Sequence, residues 1–259
     1  MGEIDALLAT QSGVIARRQV EAAGETAADI ERRLRRREWA RLLPGVYVDH
    51  TGPASWVQRA WAGVLYYAPA VVGDESILVD PSRRHDESRV VIAVDRQRNV
   101  TAMPGYVVRW VTGLETKSLA HTSPPRMRIE DAALRVAARH ERELDAVQTV
   151  ASCVQRRLTT ADRMLVALDR HPRLPRRRWL AEVLHDVAAG SHSVLERQYY
   201  AKVERAHCLP VAHRQCRTTG ARVRYSDASY PDQGVDVELD GRLVHDTAEQ
   251  RHDDLERDL

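Results

Sequence analysis

Apolar residues recur at helical spacing through the first forty positions and then give way to two short β-like runs. Ile4, Leu7 and Leu8 form one apolar helix face. The predicted helices lie before Gly13, over 17–23 and, after an N-cap at Thr26, over 27–37. Strands at 39–43 and 46–48 flank the turn dipeptide Pro44-Gly45. Three helices followed by a hairpin is the order of a winged helix-turn-helix, which we assign to residues 1–51.

The remaining chain divides into a middle region, 52–190, and a C-terminal segment, 191–259. The middle region is predicted to be mixed and mainly helical, with helices at 55–67, 129–140, 144–157, 160–168 and 176–188 and strands at 89–95 and 106–111. In the C-terminal segment the pattern predicts a helix at 194–205, strands at 222–230 and 235–240, and a helix from 247 to the last residue. The predicted fold class is therefore α+β with several domains.

Composition narrows the class of protein. The chain has 259 residues, of which 43% are hydrophobic, which is enough for a real core in two or three small domains. The longest apolar stretch, 61–72, is interrupted by Pro69 and is well short of the ~20 residues that span a bilayer. The first five residues are acidic where a secretory signal is basic, and three cysteines do not staple a secreted scaffold. We expect a cytoplasmic protein without a membrane segment.

Positive charge is concentrated on the third predicted helix, although the formal net charge is only +2. In a winged helix-turn-helix this helix enters the major groove, where arginine contacts phosphates or pairs with guanine. The alternative is a solvated helix face. The candidate residues for contact with double-stranded DNA are Arg17, Arg18, Arg32, Arg33, Arg35, Arg36, Arg37 and Arg41.

Negative charge is concentrated on the last predicted strand. Asp236, Glu238 and Asp240 alternate with apolar residues and so share one strand face, and Asp227 lies on the preceding strand across a short hairpin. Clustered carboxylates with open coordination positions suit Mg²⁺ or Mn²⁺, which activate water at a phosphoryl centre. This pattern predicts a metal-dependent phosphodiesterase. The alternative is an antiparallel strand with one polar, solvated face.

An ordered set of short motifs over 191–259 resembles the module related to very-short-patch-repair endonucleases, of the PD-(D/E)XK fold. The motifs are Ser193-Val194-Leu195-Glu196-Arg197, Leu209-Pro210, Gln215, Tyr225-Ser226-Asp227, Tyr230-Pro231, the run 237–242, His245, Asp254 and Arg257-Asp258. The resemblance implies Asp227, Glu238 and Glu196 as metal ligands and a catalytic set of Asp227, Glu238, Asp240 and His245. Asp240 stands where the wider fold has lysine. Because this fold continues with a further strand and helix, we expect the module to be incomplete at its C-terminus.

The N-terminal part resembles a different family. The run Ile15-Ala16-Arg17-Arg18-Gln19-Val20, Ala23-Gly24, the stretch 34–37 and Leu43-Pro44-Gly45-Val46-Tyr47 resemble the winged-helix domain of AbiEi-type antitoxins of type IV toxin–antitoxin systems. The resemblance implies repression of an operon by operator binding, with the rest of the protein opposing a cognate toxin.

Three functions stay open from the sequence. The first is a DNA-binding antitoxin or transcriptional autoregulator that carries a nuclease-like module. The second is a Mg²⁺-dependent DNA endonuclease of a nicking, repair or defence type, targeted by its winged helix. The third is a nuclease fold that has lost its chemistry and binds another protein. A zinc site at His207, Cys208, His213 and Cys216 is disfavoured, since the spacing matches no common zinc motif.

Overall fold

In the computed structural model the chain is α+β, with three separate β-sheets among the residues that it describes. The structure describes residues 2–79, 88–188, 199–219 and 223–237. The helices are α1 (Glu3–Thr10), α2 (Arg17–Ala22), α3 (Ala27–Arg35), α4 (Trp56–Tyr66), α5 (Glu75–Leu78), α6 (Ile129–Arg139), α7 (Glu143–Gln155), α8 (Ala161–Ala167) and α9 (Arg177–Ala188). The strands are β1 (Val14–Ala16), β2 (Ala40–Leu43), β3 (Val46–Val48), β4 (Ala70–Val72), β5 (Val90–Asp95), β6 (Tyr106–Val111), β7 (Ser118–Leu119), β8 (Arg126–Met127), β9 (His213–Thr219), β10 (Val223–Tyr230) and β11 (Val235–Val237).

The first sheet is antiparallel with the order β1-β3-β2. Its hairpin turns at Gly45, whose φ of 72° lies in the left-handed region that glycine adopts without strain. α1, α2 and α3 supply apolar side chains to one core with Trp39 and Tyr47, and α4 packs Trp61 and Leu65 against Val14 and Val48. The predicted helices and the hairpin are confirmed. β1 was not predicted, because three apolar residues between two helices carry no periodicity of their own.

The second sheet is mixed, with the order β6-β5-β4-β8-β7. β5 is parallel to β6 and antiparallel to β4, and Val90 to Val94 are all buried. The apolar side of α4 covers this sheet, and Gly63 allows the approach: a Cβ there would lie 2.7 Å from Tyr106 Cε1 and 2.8 Å from Ile92 Cδ1. The middle region thus contains a five-stranded sheet, of which the sequence predicted only β5 and β6.

Buried carboxylates tie α6 to its surroundings. Asp74, just before α5, accepts hydrogen bonds from Arg135 and Arg139. Asp131 is fully buried and accepts from Arg170 at 2.7 Å and from His171 Nε2, also at 2.7 Å. Burial opposes the charge on Asp131, but the hydrogen bonds from His171 and Arg170 outweigh it and hold the pKa of this carboxyl below its ordinary value.

The third sheet is an antiparallel meander of the order β11-β10-β9. The helical segment before it is a π-helix over Tyr200–Glu204. Tyr200, Ala228 and Tyr230 form its small core, and Tyr230 donates a hydrogen bond to the buried Glu204 carboxylate. The predicted strand at 222–230 is confirmed as β10, and the described part of the strand predicted at 235–240 is β11. β9 was not predicted as a separate strand.

The chain forms two compact units, and each is built from two stretches of sequence. The first unit contains residues 1–140 and 163–177, and the second contains 141–162 and 178–259. The predicted boundaries after residues 51 and 190 differ from this division, because the helices α6 to α9 are shared out between both units. Among the described residues, no helix is both long enough and apolar enough to span a membrane.

Candidate nucleic-acid interface

Helix α3 has one apolar face and one exposed face. Ile30 is buried and Leu34 packs against the same core, which orients the helix. The residues opposite them are exposed at spacings of three and four and therefore lie on one face of the helix. They are Ala28, Glu31, Arg32 and Arg35. Because the side chain of Ala28 is small, a binding partner can come close to the backbone in the N-terminal half of this face.

The start of α3 is fixed by a reciprocal cap. The Thr26 hydroxyl accepts a hydrogen bond from the Asp29 backbone N–H at 3.3 Å, and the Asp29 carboxylate accepts one from the Thr26 backbone N–H at 2.9 Å. The Thr26 hydroxyl also donates to Asp29 at 2.6 Å. These hydrogen bonds from Thr26 lower the pKa of Asp29 to about 2. The cap therefore fixes the residue at which α3 begins, and with it which side chains of the helix face the core and which face solvent.

Arg35 and Arg37 present uncommitted guanidinium groups. Within the described residues neither side chain has a hydrogen bond or an ion pair. Arg37 follows the helix with a φ of 58°. Arg36 and Arg41 are 3.8 Å from Glu38 and 3.7 Å from Glu31, respectively, and both arginine side chains are more than half exposed. Such solvent-exposed pairs contribute little, so these cations remain accessible to an anionic partner.

Arg32 and Arg17 are exposed but paired within their own helices. Arg32 contacts Asp29 at 2.7 Å, and Arg17 Nε donates to Glu21 at 2.7 Å. The hydrogen bond and the charge of Glu21 raise the pKa of Arg17. Both pairs lie in water, where exchange of a carboxylate for a phosphate costs little.

Arg33 and Arg18 are committed to the fold, although the sequence placed them with the DNA contacts. Arg33 forms a bidentate pair with Glu25 and its guanidinium lies 4.6 Å from the centre of the Trp39 ring. Arg33 lowers the pKa of Glu25 through this hydrogen bond. Arg18 Nη1 donates to the Leu65 carbonyl at 2.7 Å and so fastens α2 to the end of α4. The sequence did not separate these roles, because all eight arginines look alike without their tertiary neighbours.

The predicted carboxylate cluster is only partly within the described residues. Asp227 lies on the central strand β10, with its side chain half-buried, and Asp236 lies on β11 with an oxygen 3.5 Å from Ser226 Oγ. The other predicted metal and catalytic residues, Glu196, Glu238, Asp240 and His245, lie outside the described residues. Asp227, as one of three predicted ligands, does not by itself define a Mg²⁺ or Mn²⁺ site.

The cysteines and histidines of the zinc alternative are not gathered. Cys208 is exposed, Cys216 is half-buried and both are free thiols. In the parts of the chain that the structure describes, no three His, Cys, Asp or Glu side chains lie close enough together to hold a metal ion.

The structure adds two members to the candidate face that the sequence analysis did not select. Ala28 and Glu31 share the exposed face with Arg32 and Arg35. The sequence did contain a signal for this face, since residues three and four positions from each other, on the side away from Ile30 and Leu34, lie together on a helix.

No protein-family model matches the chain, and no curated protein matches it.

Proposed function

We propose that this protein binds double-stranded DNA through residues 3–48, with α3 in the major groove and the β2–β3 hairpin as a wing. Three helices followed by a hairpin, in a sheet of the order β1-β3-β2, support this proposal, because a winged helix-turn-helix has the same order of elements. The single observation that carries the proposal is the exposed face of α3, where Arg32 and Arg35 flank small and polar residues opposite a buried Ile30.

The biological role that fits this activity is transcriptional autoregulation of the antitoxin type. The resemblance to AbiEi-type antitoxins supports it and adds a cognate toxin as the protein partner. Under this proposal, the preferred duplex lies upstream of the protein's own gene.

The test is fluorescence anisotropy with a labelled duplex from that upstream region, at several salt concentrations. Replacing Arg32 and Arg35 by alanine is expected to weaken binding and to reduce the slope of log affinity against log salt by about 1 for each phosphate that the variant no longer neutralises. The matched control replaces Arg89 and Arg96, which are exposed arginines of the same unit outside α1–α3. Equally weakened binding in the two double variants would contradict the proposal.

A second candidate function is metal-dependent cleavage of DNA by the C-terminal segment. The observation that favours it is Asp227 on the central strand of a meander that follows a helical segment, as the resemblance to the PD-(D/E)XK module implies. Plasmid nicking with Mg²⁺ or Mn²⁺ is expected for the full chain and is expected to be abolished in Asp227→Asn.

Asp232→Asn is the control for this experiment, since Asp232 is exposed in the loop between β10 and β11. Equal nicking by both variants would contradict cleavage by this segment. No nicking together with a co-purifying protein would favour the remaining alternative, an inactive nuclease fold that binds a protein partner.

A further inference from the structure

A cavity of about 200 Å³ lies in the first unit, and none of its lining residues belongs to α3. Its walls come from the start of α4, from β4 and α5, and from the turn that leads into β8. The residues that matter for its chemistry are Trp56, Val72, Ile77, Thr122, Ser123 and Arg126. A cavity of about 150 Å³ is large enough for benzene, so this one has room for a single substituted ring.

Arg126 is the cation of this cavity, and β-pairing fixes its position. Its backbone is in register with Val72 on β4 and with Leu119 on β7. Its Nε atom is buried and has no hydrogen-bond partner. Among the described residues, no carboxylate forms an ion pair with its guanidinium. Because native proteins compensate most buried charges, this guanidinium in the cavity lining leaves its charge for an anion that a ligand brings.

The two hydroxyl groups of the lining donate their hydrogen bonds to backbone carbonyls of the protein, so they are not available as donors to a ligand. Thr122 donates to the carbonyls of Leu119 and Pro124 at 2.9 and 3.0 Å, and Ser123 donates to the Thr10 carbonyl at 3.0 Å. Their remaining lone pairs do not attract an anion. The negative end of a ligand is therefore directed to the planar fork of Arg126, which suits the two oxygens of a carboxylate or a phosphate.

The rest of the cavity lining includes apolar side chains. Trp56, Val72 and Ile77 are at most 7% exposed and belong to the core cluster beneath the five-stranded sheet. Their fixed positions provide a rigid surface for a flat hydrocarbon body, and a few polar groups in an otherwise apolar cavity are typical of small-molecule sites.

We propose that this cavity binds a small organic anion with an apolar body, with the anionic group on Arg126 and the body against Trp56 and Ile77. The ligand class is an aromatic or branched aliphatic carboxylate or phosphate monoester of about the size of benzoate. The site is independent of the proposed DNA binding, and its test contains no DNA.

The test is isothermal titration calorimetry of the full chain with benzoate, phenyl phosphate and the neutral analogue benzyl alcohol. Either anion is expected to bind at least about tenfold more tightly than benzyl alcohol, and the stronger of the two identifies the anionic group. Failure of both anions to bind at concentrations up to about 10 mM would overturn the proposal. So would binding of benzyl alcohol as tight as that of the anions.

Three variants assign the anionic group to its cation. Arg126→Met keeps the length of the side chain and is expected to weaken anion binding at least about tenfold while leaving benzyl alcohol binding unchanged. Arg128→Met is the matched control two residues further on, outside the cavity lining. Arg126→Lys keeps the charge without the planar fork, and we expect it to bind the anions with intermediate affinity. This variant tests the assignment if the methionine variant does not fold. Anion affinity unchanged in Arg126→Met, or reduced equally in Arg128→Met, would overturn the assignment.

Discussion

Arg33 and Arg35 lie two positions apart on α3 and have different surroundings. Arg33 holds Glu25 and stacks on Trp39, so its charge is part of the helix-to-core contact. Arg35 is exposed and has no partner among the described residues. The same residue type therefore serves stability at one position and, in our proposal, DNA binding at the other.

Exchange of each arginine for alanine separates these roles. Arg33→Ala is expected to lower the free energy of unfolding by about 1–2 kcal/mol, since it removes a partly buried ion pair and a cation–π contact. Arg35→Ala is expected to leave unfolding unchanged and to weaken DNA binding. Urea titration and anisotropy measure the two effects. A stability decrease of equal size in both variants would contradict this assignment.

Asp131 is a buried carboxylate that contributes to the acid stability of the first unit. Its folded pKa lies below its ordinary value of 3.8 because Arg170 and His171 favour the charged form despite burial. A lowered folded pKa means that the carboxylate stabilises the fold at neutral pH and that this contribution disappears as the pH falls below about 4.

Asp131→Asn is expected to lower the free energy of unfolding at pH 7 by about 3 kcal/mol, because Arg170 is left without its counter-charge and His171 loses the carboxylate to which it is hydrogen-bonded. The gap between the variant and the wild type should narrow as the pH falls below the ordinary carboxyl pKa of 3.8 toward the lowered pKa of the folded state, because the wild type then loses the contribution of its carboxylate. Urea titrations at pH 7, 5 and 3 measure the gap. A gap that stays constant with pH would contradict the role of this carboxylate.

At the scale of the element, α3 depends on its first turn. The sequence predicted the Thr26 cap and placed Asp29 in the first turn, and both are confirmed as a reciprocal capping pair. Its last residues were predicted to continue to 37, but the helix ends at Arg35 because Arg37 takes a positive φ. Local hydrogen bonding explains the start, and the chain reversal toward Trp39 explains the end.

Thr26→Ala removes the capping hydroxyl of α3. We expect a decrease of about 1 kcal/mol in the free energy of unfolding and weaker DNA binding, because the exposed face of the helix no longer has a fixed start. Thr26→Ser retains the hydroxyl and should restore both properties. Thermal unfolding and anisotropy provide the two readings. Equal stability of the alanine and serine variants would argue against the cap.

At the scale of the whole molecule, the first unit includes residues that are distant in sequence. Residues 141–162 belong to the second unit, and the stretch 163–177 that follows them belongs to the first unit again. This stretch carries Arg170 and His171, which are hydrogen-bonded to Asp131, and Arg163, which contacts Glu130 at 2.9 Å. The unit is therefore not a contiguous fragment of the chain.

A fragment of residues 1–140 is expected to unfold at a lower temperature than a fragment of residues 1–177, since it buries Asp131 without its partners. Asp131→Asn should stabilise the shorter fragment, where it removes an unpaired charge, and destabilise the longer one. Calorimetry of the four proteins measures both effects. Equal melting temperatures of the two unmutated fragments would contradict this account of the unit.

The sequence by itself predicted the helices α1 to α4 and α6 to α9, the Thr26 cap and the strands β2, β3, β5, β6, β10 and β11. Periodicity, capping residues and turn dipeptides act over a few neighbouring positions, so a local pattern is enough to reveal them. Tertiary structure alone decided the short strands β1, β4, β7 and β8, which exist only through their partners in the sheets, and the pairing that makes β9 a strand. It also distinguished Arg33 from Arg35 and placed Arg126 and Trp56 in the lining of one cavity. These outcomes depend on contacts between positions far apart in the chain, and no local pattern encodes which residues will meet.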